Sequence, residues 1–217
     1  RNYGNLKFSN IKTNIKKFDE NFFNKVKERK VWCAASTHPP EEIMCAKTHL
    51  QIKKNYNNIL TIIIPRHINR IKDIYKKLLD LNLKVSYYTN SNQLNHDTDI
   101  LLVDTYGETS KFFSISKSVF LGGSLIKHGG QNPIEPARLG CKIFHGPNIS
   151  NFTEIYDYLK SLGVANKIDN IEELSEFLIN QFNSKKLYNR EVVTKIDDYG
   201  LNIINNVMKE IKIYINN

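Results

Sequence analysis

The glycine-rich segment 120–140, which reads FLGGSLIKHGGQNPIEPARLG, combines residue types that could bind an anion. Its apolar start predicts a short strand, and the Gly-Gly-Ser turn at 122–124 would let the backbone approach a ligand closely. Asn132, Pro133 and Glu135 have the types and spacing of a helix start, with an N-cap, a first-turn proline and a capping-box carboxylate. Free N–H groups and the helix dipole point the same way at such a start, which favours anion binding. A well-capped helix after a flexible loop would produce the same pattern without a ligand.

Three other apolar runs are also followed directly by polar or charged residues. They are KVWCAA (30–35) before Ser36 and Thr37, ILTIIIP (59–65) before Arg66 and His67, and DILLV (99–103) before DTYGE (104–108). Within the last group, Thr105 and Glu108 have the spacing of a second capping box. Ligands of open α/β sheets bind outside the carboxyl ends of the strands. The sequence therefore predicts a ligand site along one edge of a sheet, to which each of these segments contributes.

Apolar runs of strand length alternate with helical patterns along most of the chain. The predicted strands are 30–35, 59–64, 83–88, 99–103, 118–121, 141–144 and 164–168, and the predicted helices are 14–29, 41–55, 70–81, 108–114, 133–139, 152–161, 171–182, 186–199 and 201–215. Strands that are apolar throughout predict a parallel sheet with helices on both faces, which is a Rossmann-like α/β fold. The helix 201–215 places several apolar residues on one face, so we expect a partly exposed apolar stripe there.

The composition restricts the class of protein. A chain of 217 residues can form one sizeable domain, and because it begins at Arg1 instead of Met we expect it to be part of a longer protein. No apolar stretch reaches the ~18–20 residues that span a bilayer. Cys33, Cys45 and Cys141 lack metal-ligand spacing, which favours buried reduced thiols. The net charge of +9 comes from scattered lysines without a nucleic-acid motif, and an anionic membrane surface or a phosphorylated lipid substrate would fit this charge equally well.

Taken in order, the motifs resemble those of one protein family. They are AASTH (34–38), PRH (65–67), DTYGE (104–108), GGS (122–124), GGQNPIEPARLG (129–140) and HGPNISNFTEI (145–155). In order and approximate spacing they are similar to motifs in the carboxy-terminal half of the 3-deoxy-D-manno-octulosonic acid (Kdo) transferases of lipopolysaccharide synthesis. One departure is Gln131, where this family commonly has a histidine and where glutamine cannot carry a charge.

The resemblance implies the donor-binding half of a two-domain glycosyltransferase of the GT-B type. In that family the donor is CMP-Kdo, the acceptor is a phosphorylated lipid A precursor, and transfer inverts the anomeric centre at the cytoplasmic face of the bacterial inner membrane. No metal or other cofactor is implied. The general base belongs to the amino-terminal half, so we expect no catalytic residue in this chain and nucleotide binding without turnover. The implied organisation is an interdomain segment and first helix (1–29), a nucleotide-sugar-binding domain (30–200) and a terminal helix (201–217) that packs toward the amino-terminal domain.

The resemblance also implies which residues bind CMP. They are Pro65, Arg66, His67, Tyr106, Gly107, Glu108, Gly123, Ser124, Asn132, Pro133, Ile134 and Glu135, with Ser36, Thr37 and Lys127 as additional candidates. Arg66 has the planar guanidinium that grips phosphate, although an arginine at a strand end can also pair with a surface carboxylate. Glu135 has two interpretations, because it can complete the capping box with Asn132 or accept hydrogen bonds from the two ribose hydroxyls.

Three other classes of protein remain compatible with the sequence. A sugar-nucleotide epimerase of the same architecture would share the sheet and the ribose-binding glutamate but would use a uracil nucleotide. A non-catalytic nucleotide-binding domain would need no amino-terminal half. A nucleic-acid-binding protein would show an affinity that falls steeply with salt, and it would not prefer free cytidine nucleotides.

Overall fold

A computed structural model describes residues 6–9, 17–89, 94–184 and 190–215, and within them seven strands form one parallel sheet. The strands are β1 (Lys30–Thr37), β2 (Ile59–Pro65), β3 (Val85–Tyr87), β4 (Ile100–Leu102), β5 (Ser118–Leu121), β6 (Lys142–His145) and β7 (Ala165–Lys167). Their order across the sheet is β3-β4-β2-β1-β5-β6-β7, and every neighbouring pair is parallel. The Rossmann-like fold class is therefore confirmed.

Helices cover both faces of this sheet. They are α1 (Glu20–Val26), α2 (Glu41–Lys53), α3 (Ile71–Leu79), α4 (Thr109–Phe113), α5 (Ile134–Arg138), α6 (Thr153–Ser161), α7 (Ile171–Asn183) and α8 (Arg190–Ile215), with short 3-10 turns at Leu6–Ser9 and Ile68–Arg70. One apolar core joins the sheet to α1, α4, α5, α6 and α8, and a second joins it to α2, α3 and α7. Side chains alternate along β1, so Cys33 lies in the first core whereas Trp32 and Ala34 lie in the second.

The strand order changes direction at β1. The sheet continues through β2, β4 and β3 on one side of it, and through β5, β6 and β7 on the other. In doubly wound sheets this switch point opens a crevice between the loops that follow the two central strands, and ligands bind there. In this chain the crevice lies between the segments after Thr37 and after Leu121, which contain the end of the AASTH motif and the GGS motif.

The carboxy-terminal part of the fold differs from the prediction. The sequence predicts two helices separated by Gly200, whereas the described residues form one continuous helix, α8; residues 186–189 lie outside the description. Gly200 lies inside this helix, where a Cβ would be 2.5 Å from the carbonyl oxygen of Phe8. This contact explains why the position requires a glycine. Phe8 is fully buried, and its ring makes edge contacts with Tyr158 and Tyr199. The glycine therefore permits close packing and does not end a helix.

The apolar stripe expected on this last helix is present. Leu201, Met208 and Ile211 are 55%, 46% and 43% exposed, whereas Ile203 of the same helix is buried in the core. The expected boundary between 200 and 201 falls inside α8. Across the part of the chain that the structure describes, no helix is both long enough and apolar enough to cross a bilayer.

The first helix is shorter than predicted. Residues 14–16 of the predicted helix lie outside the described part, and α1 begins after Asp19. The Asp19 carboxylate accepts a hydrogen bond of 2.8 Å from the N–H of Phe22, which is an N-cap that the apolar spacing alone does not reveal. The three cysteines are buried and free, as predicted.

Candidate functional site

Four loops meet along the carboxyl edge of the sheet, after β1, β2, β4 and β5. Hydrogen bonds join the segments at these strand ends. They run from the N–H of Arg66 to the Thr37 carbonyl oxygen at the end of β1 (3.0 Å), from the N–H of Ile68 to the Tyr106 hydroxyl (3.3 Å), and from the Ser110 hydroxyl in α4 to the Glu135 carboxylate in α5. The structure thus brings the predicted strand-end segments together at one edge, as the parallel topology requires.

A buried carboxylate at the start of α2 holds the glycine turn after β5. Glu41 is fully buried, and its two oxygens accept hydrogen bonds of 2.7–3.1 Å from the backbone N–H groups of His38, Gly123, Ser124 and Leu125. An internal anion therefore occupies the cluster of amides that the sequence predicts for a ligand. This corrects the prediction, because the turn is already satisfied by the protein and its amides are not free for a phosphate.

Ser124 also has a position inside the protein. It has no exposed surface, and its hydroxyl donates to the Leu121 carbonyl oxygen at 2.5 Å and accepts from the N–H of Gly146 at 2.8 Å. The hydroxyl thereby ties the glycine turn to the loop after β6. Because Ser124 has no exposed surface and its hydroxyl already donates one hydrogen bond and accepts another, the structure favours a shaping role over the predicted binding role.

Gly123 faces the crevice beside two histidines and an amide. Its φ of +66° is in the left-handed region, which favours glycine. A Cβ at this position would lie 3.0 Å from His128 Cδ2, 3.4 Å from Gln131 Nε2 and 3.4 Å from His38 Cε1. The missing side chain therefore leaves a small space that these three side chains border.

The helix start at 132–135 forms in part as predicted. The N–H of Ile134 donates to the side-chain oxygen of Asn132 at 3.1 Å, but the helix begins at Ile134 with Pro133 at the N-cap position, so Asn132 lies one residue before the N-cap that the sequence predicted for it. Glu135 does not complete the capping box, because its carboxylate accepts from the Ser110 hydroxyl, and within the described residues it has no bond to the Asn132 backbone. Pro133 and Ile134 are buried and shape the turn. Of the two interpretations of Glu135, the structure contradicts the capping box.

Arg66 and His67 are exposed directly after β2, while Pro65 is buried at its end. The Arg66 guanidinium forms no hydrogen bond or ion pair with any residue that the structure describes, so the alternative of pairing with a surface carboxylate is not realised. The centre of the His67 ring lies 5.8 Å from that of His38. These two side chains therefore flank the crevice from the β2 side.

The loop after β4 does not form its predicted capping box. Gly107 turns the chain at a φ of +79°, and α4 then begins at Thr109, one residue after Glu108. The Thr105 hydroxyl and Glu108 Oε2 are buried without a hydrogen-bond partner in the described part of the chain. Buried polar atoms of this kind are uncommon and require an explanation such as a ligand or an ordered water. Tyr106 is 70% exposed above them.

The segment after β1 contributes more than the sequence indicates. Ser36 has a φ of +55°, and Thr37 is fully buried with a hydroxyl that finds no partner among the described residues. His38 Nδ1 lies 3.1 Å from the Ser36 carbonyl oxygen. Burial, followed by the proximity of His128, lowers the pKa of His38. The centres of the His38 and His128 rings are 4.2 Å apart.

Lys127 is exposed on the glycine-rich loop. Together with His128 and Asn148 it lines a groove of about 680 Å³ that adjoins the crevice on the β6 side. No three His, Cys, Asp or Glu side chains among the described residues are grouped so that they could hold a metal ion.

Glu41, His38 and His128 are the site residues that the sequence did not reveal. Glu41 had one available signal, since it follows two prolines as the first residue of a helix opposite a glycine turn. The contact between His38 and His128 had none, because the fold alone brings two such distant positions together.

Comparison with known proteins gives consistent relatives. No family model matches the chain. A 3-deoxy-D-manno-octulosonic acid transferase from Haemophilus influenzae is 34% identical over 195 residues, which cover 84% of this chain and 44% of that protein. The corresponding transferase from Rickettsia bellii is 33% identical over 192 residues, covering 87% of this chain and 46% of that protein. The chain thus spans about half the length of these relatives.

A solved structure shares the fold. The C-terminal CMP-Kdo binding domain of WaaA from Acinetobacter baumannii superposes with a TM-score of 0.71 at 22% identity, covering 85% of this chain and 94% of that domain. The similarity extends over almost the whole of that domain, so the arrangement of strands and helices is shared throughout. This solved domain shows the shared fold, and the sequence matches to the two transferases show that the chain belongs to the family of 3-deoxy-D-manno-octulosonic acid transferases.

Proposed function

We propose that this chain binds the donor CMP-Kdo and that, with an amino-terminal half, it transfers Kdo to a phosphorylated lipid A precursor with inversion. The named relatives are Kdo transferases, and the solved domain of the same fold binds CMP-Kdo by its description. The observation that carries the proposal is the topology: Arg66 follows β2, Glu108 follows β4 and Glu135 lies in the helix after β5, so all three come after the carboxyl ends of strands in the same parallel sheet. The relatives give no support to an epimerase or to a nucleic-acid-binding protein.

In this proposal Arg66 binds the phosphate of the nucleotide and Glu135 binds its ribose. The guanidinium of Arg66 donates to the donor phosphate and stabilises the negative charge that develops on CMP as the glycosidic bond breaks. The Glu135 carboxylate accepts hydrogen bonds from the two ribose hydroxyls. In the complex these take the place of the Ser110 hydroxyl, which donates to this carboxylate in the free chain. Asn132 holds the turn that leads into the same helix, because its side-chain oxygen accepts from the N–H of Ile134.

The loop after β4 selects the base. A carboxylate oxygen accepts well from the exocyclic amino group of cytosine, whereas uracil presents a carbonyl oxygen at the same position. Glu108 Oε2 and the Thr105 hydroxyl are buried and without partners among the described residues, so a cytosine edge would complete their hydrogen bonding. Tyr106 and Gly107 surround the base, while Pro65, His67, Gly123, Ser124, Pro133 and Ile134 shape the walls of the site.

The remaining partners follow from the same proposal. The enzyme is a two-domain transferase of the GT-B type, and its general base lies in the amino-terminal half. This chain is divided into an interdomain segment and first helix (1–29), the nucleotide-sugar-binding domain (30–200) and a terminal helix (201–217). The exposed stripe of α8 contacts the amino-terminal domain. The net charge of +9 favours an anionic surface, which fits activity at the cytoplasmic face of the inner membrane. No metal is required, because Arg66 neutralises a donor that carries a single phosphate.

Calorimetric titration of the 217-residue chain with CMP, UMP and AMP tests the proposal. We expect CMP to bind most tightly, and we expect Glu108→Gln to reduce the preference for CMP over UMP, because the amide can donate to uracil. Glu172→Gln is the matched control, since Glu172 is an exposed glutamate in the first turn of α7. Equal or stronger binding of UMP by the wild-type chain would favour an epimerase, and the absence of nucleotide binding would contradict the proposal.

A further inference from the structure

Three histidines from three loops meet at the switch point of the sheet, and the roles assigned above leave two of them unexplained. His38 follows β1, His67 follows β2, and His128 lies on the glycine-rich loop after β5. The centre of the His38 ring is 4.2 Å from that of His128 and 5.8 Å from that of His67. His38 and His128 also border the space above Gly123. They therefore lie in the crevice and not in the core.

His38 holds a buried ring nitrogen that the protein does not use. Its Nδ1 lies 3.1 Å from the Ser36 carbonyl oxygen, and because a carbonyl oxygen can only accept, Nδ1 carries the hydrogen. Nε2 is then the atom that gains a proton when the ring becomes charged. This atom is closed off from solvent and has no hydrogen-bond partner among the described residues. The residue as a whole is 6% exposed.

The charged groups around this ring provide no free counter-ion for the protonated form of His38. The Glu41 carboxylate, 4.0 Å from His38 Nδ1, already accepts four backbone N–H groups. Glu42 is bound by both terminal nitrogens of Arg70, at 2.9 and 3.3 Å. The other titratable groups that face His38 are His67 and His128. An anion from outside the protein would complete this arrangement, because a protonated imidazole and an anion form a strong, charge-assisted hydrogen bond.

We propose that His38, with His128 and His67 beside it, forms a subsite for an acidic oxygen group of the ligand, either a phosphate or a sugar carboxylate. The identification of the ligand as an acidic nucleotide sugar rests on the proposed function. When the anion binds, His38 Nε2 becomes protonated and donates a hydrogen bond to the anion, so the complex holds one proton more than the free chain and free anion together. Burial, followed by the proximity of His128, lowers the pKa of His38, so binding of an anion at this ring is linked to proton uptake.

Histidine NMR distinguishes the two sources of the anion. The chain has six histidines, whose Cε1–H signals can be followed during titration with inorganic phosphate and, separately, with free Kdo. We expect one of these anions to raise the pKa of His38 and to move the signals of His38 and His128. His96 is the control, because it is exposed before β4 at the opposite edge of the sheet, and its signal should stay in place.

Variants then measure the contribution to affinity. If the subsite takes the phosphate, His38→Gln and His128→Gln should each lower CMP affinity at least about fivefold while cytidine affinity is unchanged. If it takes the carboxylate, CMP affinity should be unchanged and the response to free Kdo should be lost. His96→Gln should change neither result. Because His128 is exposed, its variant keeps the test valid if His38→Gln fails to fold.

The outcomes for the subsite and for the proposed function are separate. Normal CMP binding by the wild-type chain, with no response of His38 or His128 to phosphate or Kdo, overturns the subsite and leaves the proposed function intact. A response to phosphate or Kdo in a chain that does not bind CMP overturns the proposed function and supports an anion site of another kind.

Discussion

Replacing Glu41 by glutamine tests whether a buried carboxylate organises the site. In the wild-type chain Oε2 accepts from the N–H groups of His38 (3.0 Å) and Gly123 (2.7 Å), and Oε1 accepts from those of Ser124 (3.1 Å) and Leu125 (3.0 Å). Glutamine keeps one acceptor oxygen and turns the other into an amino group, which faces two further donors. Two of the four hydrogen bonds are therefore lost, and two buried N–H groups remain unsatisfied.

The expected cost is large for a change of one atom. Hydrogen bonds to a charged group contribute roughly 1.5–3 kcal/mol each, so the free energy of unfolding should fall by about 3–6 kcal/mol. That is a substantial part of the total of about 5–15 kcal/mol that is typical of folded domains. Urea unfolding of the wild-type and variant chains, compared at equal m-values, measures the difference.

A matched control separates this effect from the general cost of removing a charge at a helix start. Glu20 is also the first residue of its helix, α1, but it is exposed. Glu20→Gln should lose less than about 1 kcal/mol, because it removes an interaction with the helix dipole and no buried hydrogen bond. If Glu41→Gln costs no more than Glu20→Gln, the carboxylate does not hold the glycine turn and the reasoning fails.

Three further predictions address the ribose contact, the packing of α8 and the dependence on pH. Glu135→Gln should lower CMP affinity about ten- to a hundredfold in calorimetry with little change in thermal stability, since roughly 1.5–3 kcal/mol of charged hydrogen bonding is lost in the complex; near-native affinity would return Glu135 to a structural role. Gly200→Ala should lower the free energy of unfolding by about 1–3 kcal/mol, because its Cβ would lie 2.5 Å from the Phe8 carbonyl oxygen, whereas a gain of stability would mean that the contact is loose. Burial lowers the pKa of His49 and of His145, so the unfolded chain binds protons at a higher pH than the folded chain, and the melting temperature should fall as the pH is lowered from about 7 to 5. His145→Gln should make the melting temperature depend less on pH, whereas His96→Gln should leave the pH dependence unchanged. A wild-type melting temperature that is constant over this pH range would refute the role of the two buried histidines.

The sequence predicts those structural features that are determined by residues close together along the chain. The unbroken apolar run at 59–65 is buried at every position of β2, and the apolar run at 118–121 is β5 with the predicted bounds. Polar residues after each strand meet at one edge because parallel strands all end there. The Asn132 side chain does accept a bond from the N–H of Ile134, which is only two residues away, although the helix starts one residue later than predicted and Pro133 takes the N-cap position.

Features that depend on distant residues were missed or wrongly predicted. Glu41 and Gly123 are 82 positions apart, and no local pattern indicates that a carboxylate from one loop fills the amides of another. The capping box of Glu135 fails because Ser110, 25 residues away, donates to its carboxylate. The capping box of Thr105 and Glu108 fails for a local reason, since the turn at Gly107 delays the start of α4 to Thr109. Gly200 has the residue type of a helix end, but the backbone of Phe8 makes it a packing position.

The bond between Ser110 and Glu135 affects how readily the site can empty. The carboxylate is already engaged by a hydroxyl of the protein. Under the proposed function, an incoming ribose therefore exchanges one hydroxyl partner for two and gains the difference, not the full strength of two new bonds. The same exchange works in reverse when CMP leaves, because Ser110 can take back the carboxylate as the ribose departs. An enzyme whose rate depends on releasing its nucleotide product benefits from such a replacement, since the vacated carboxylate is not left without a donor.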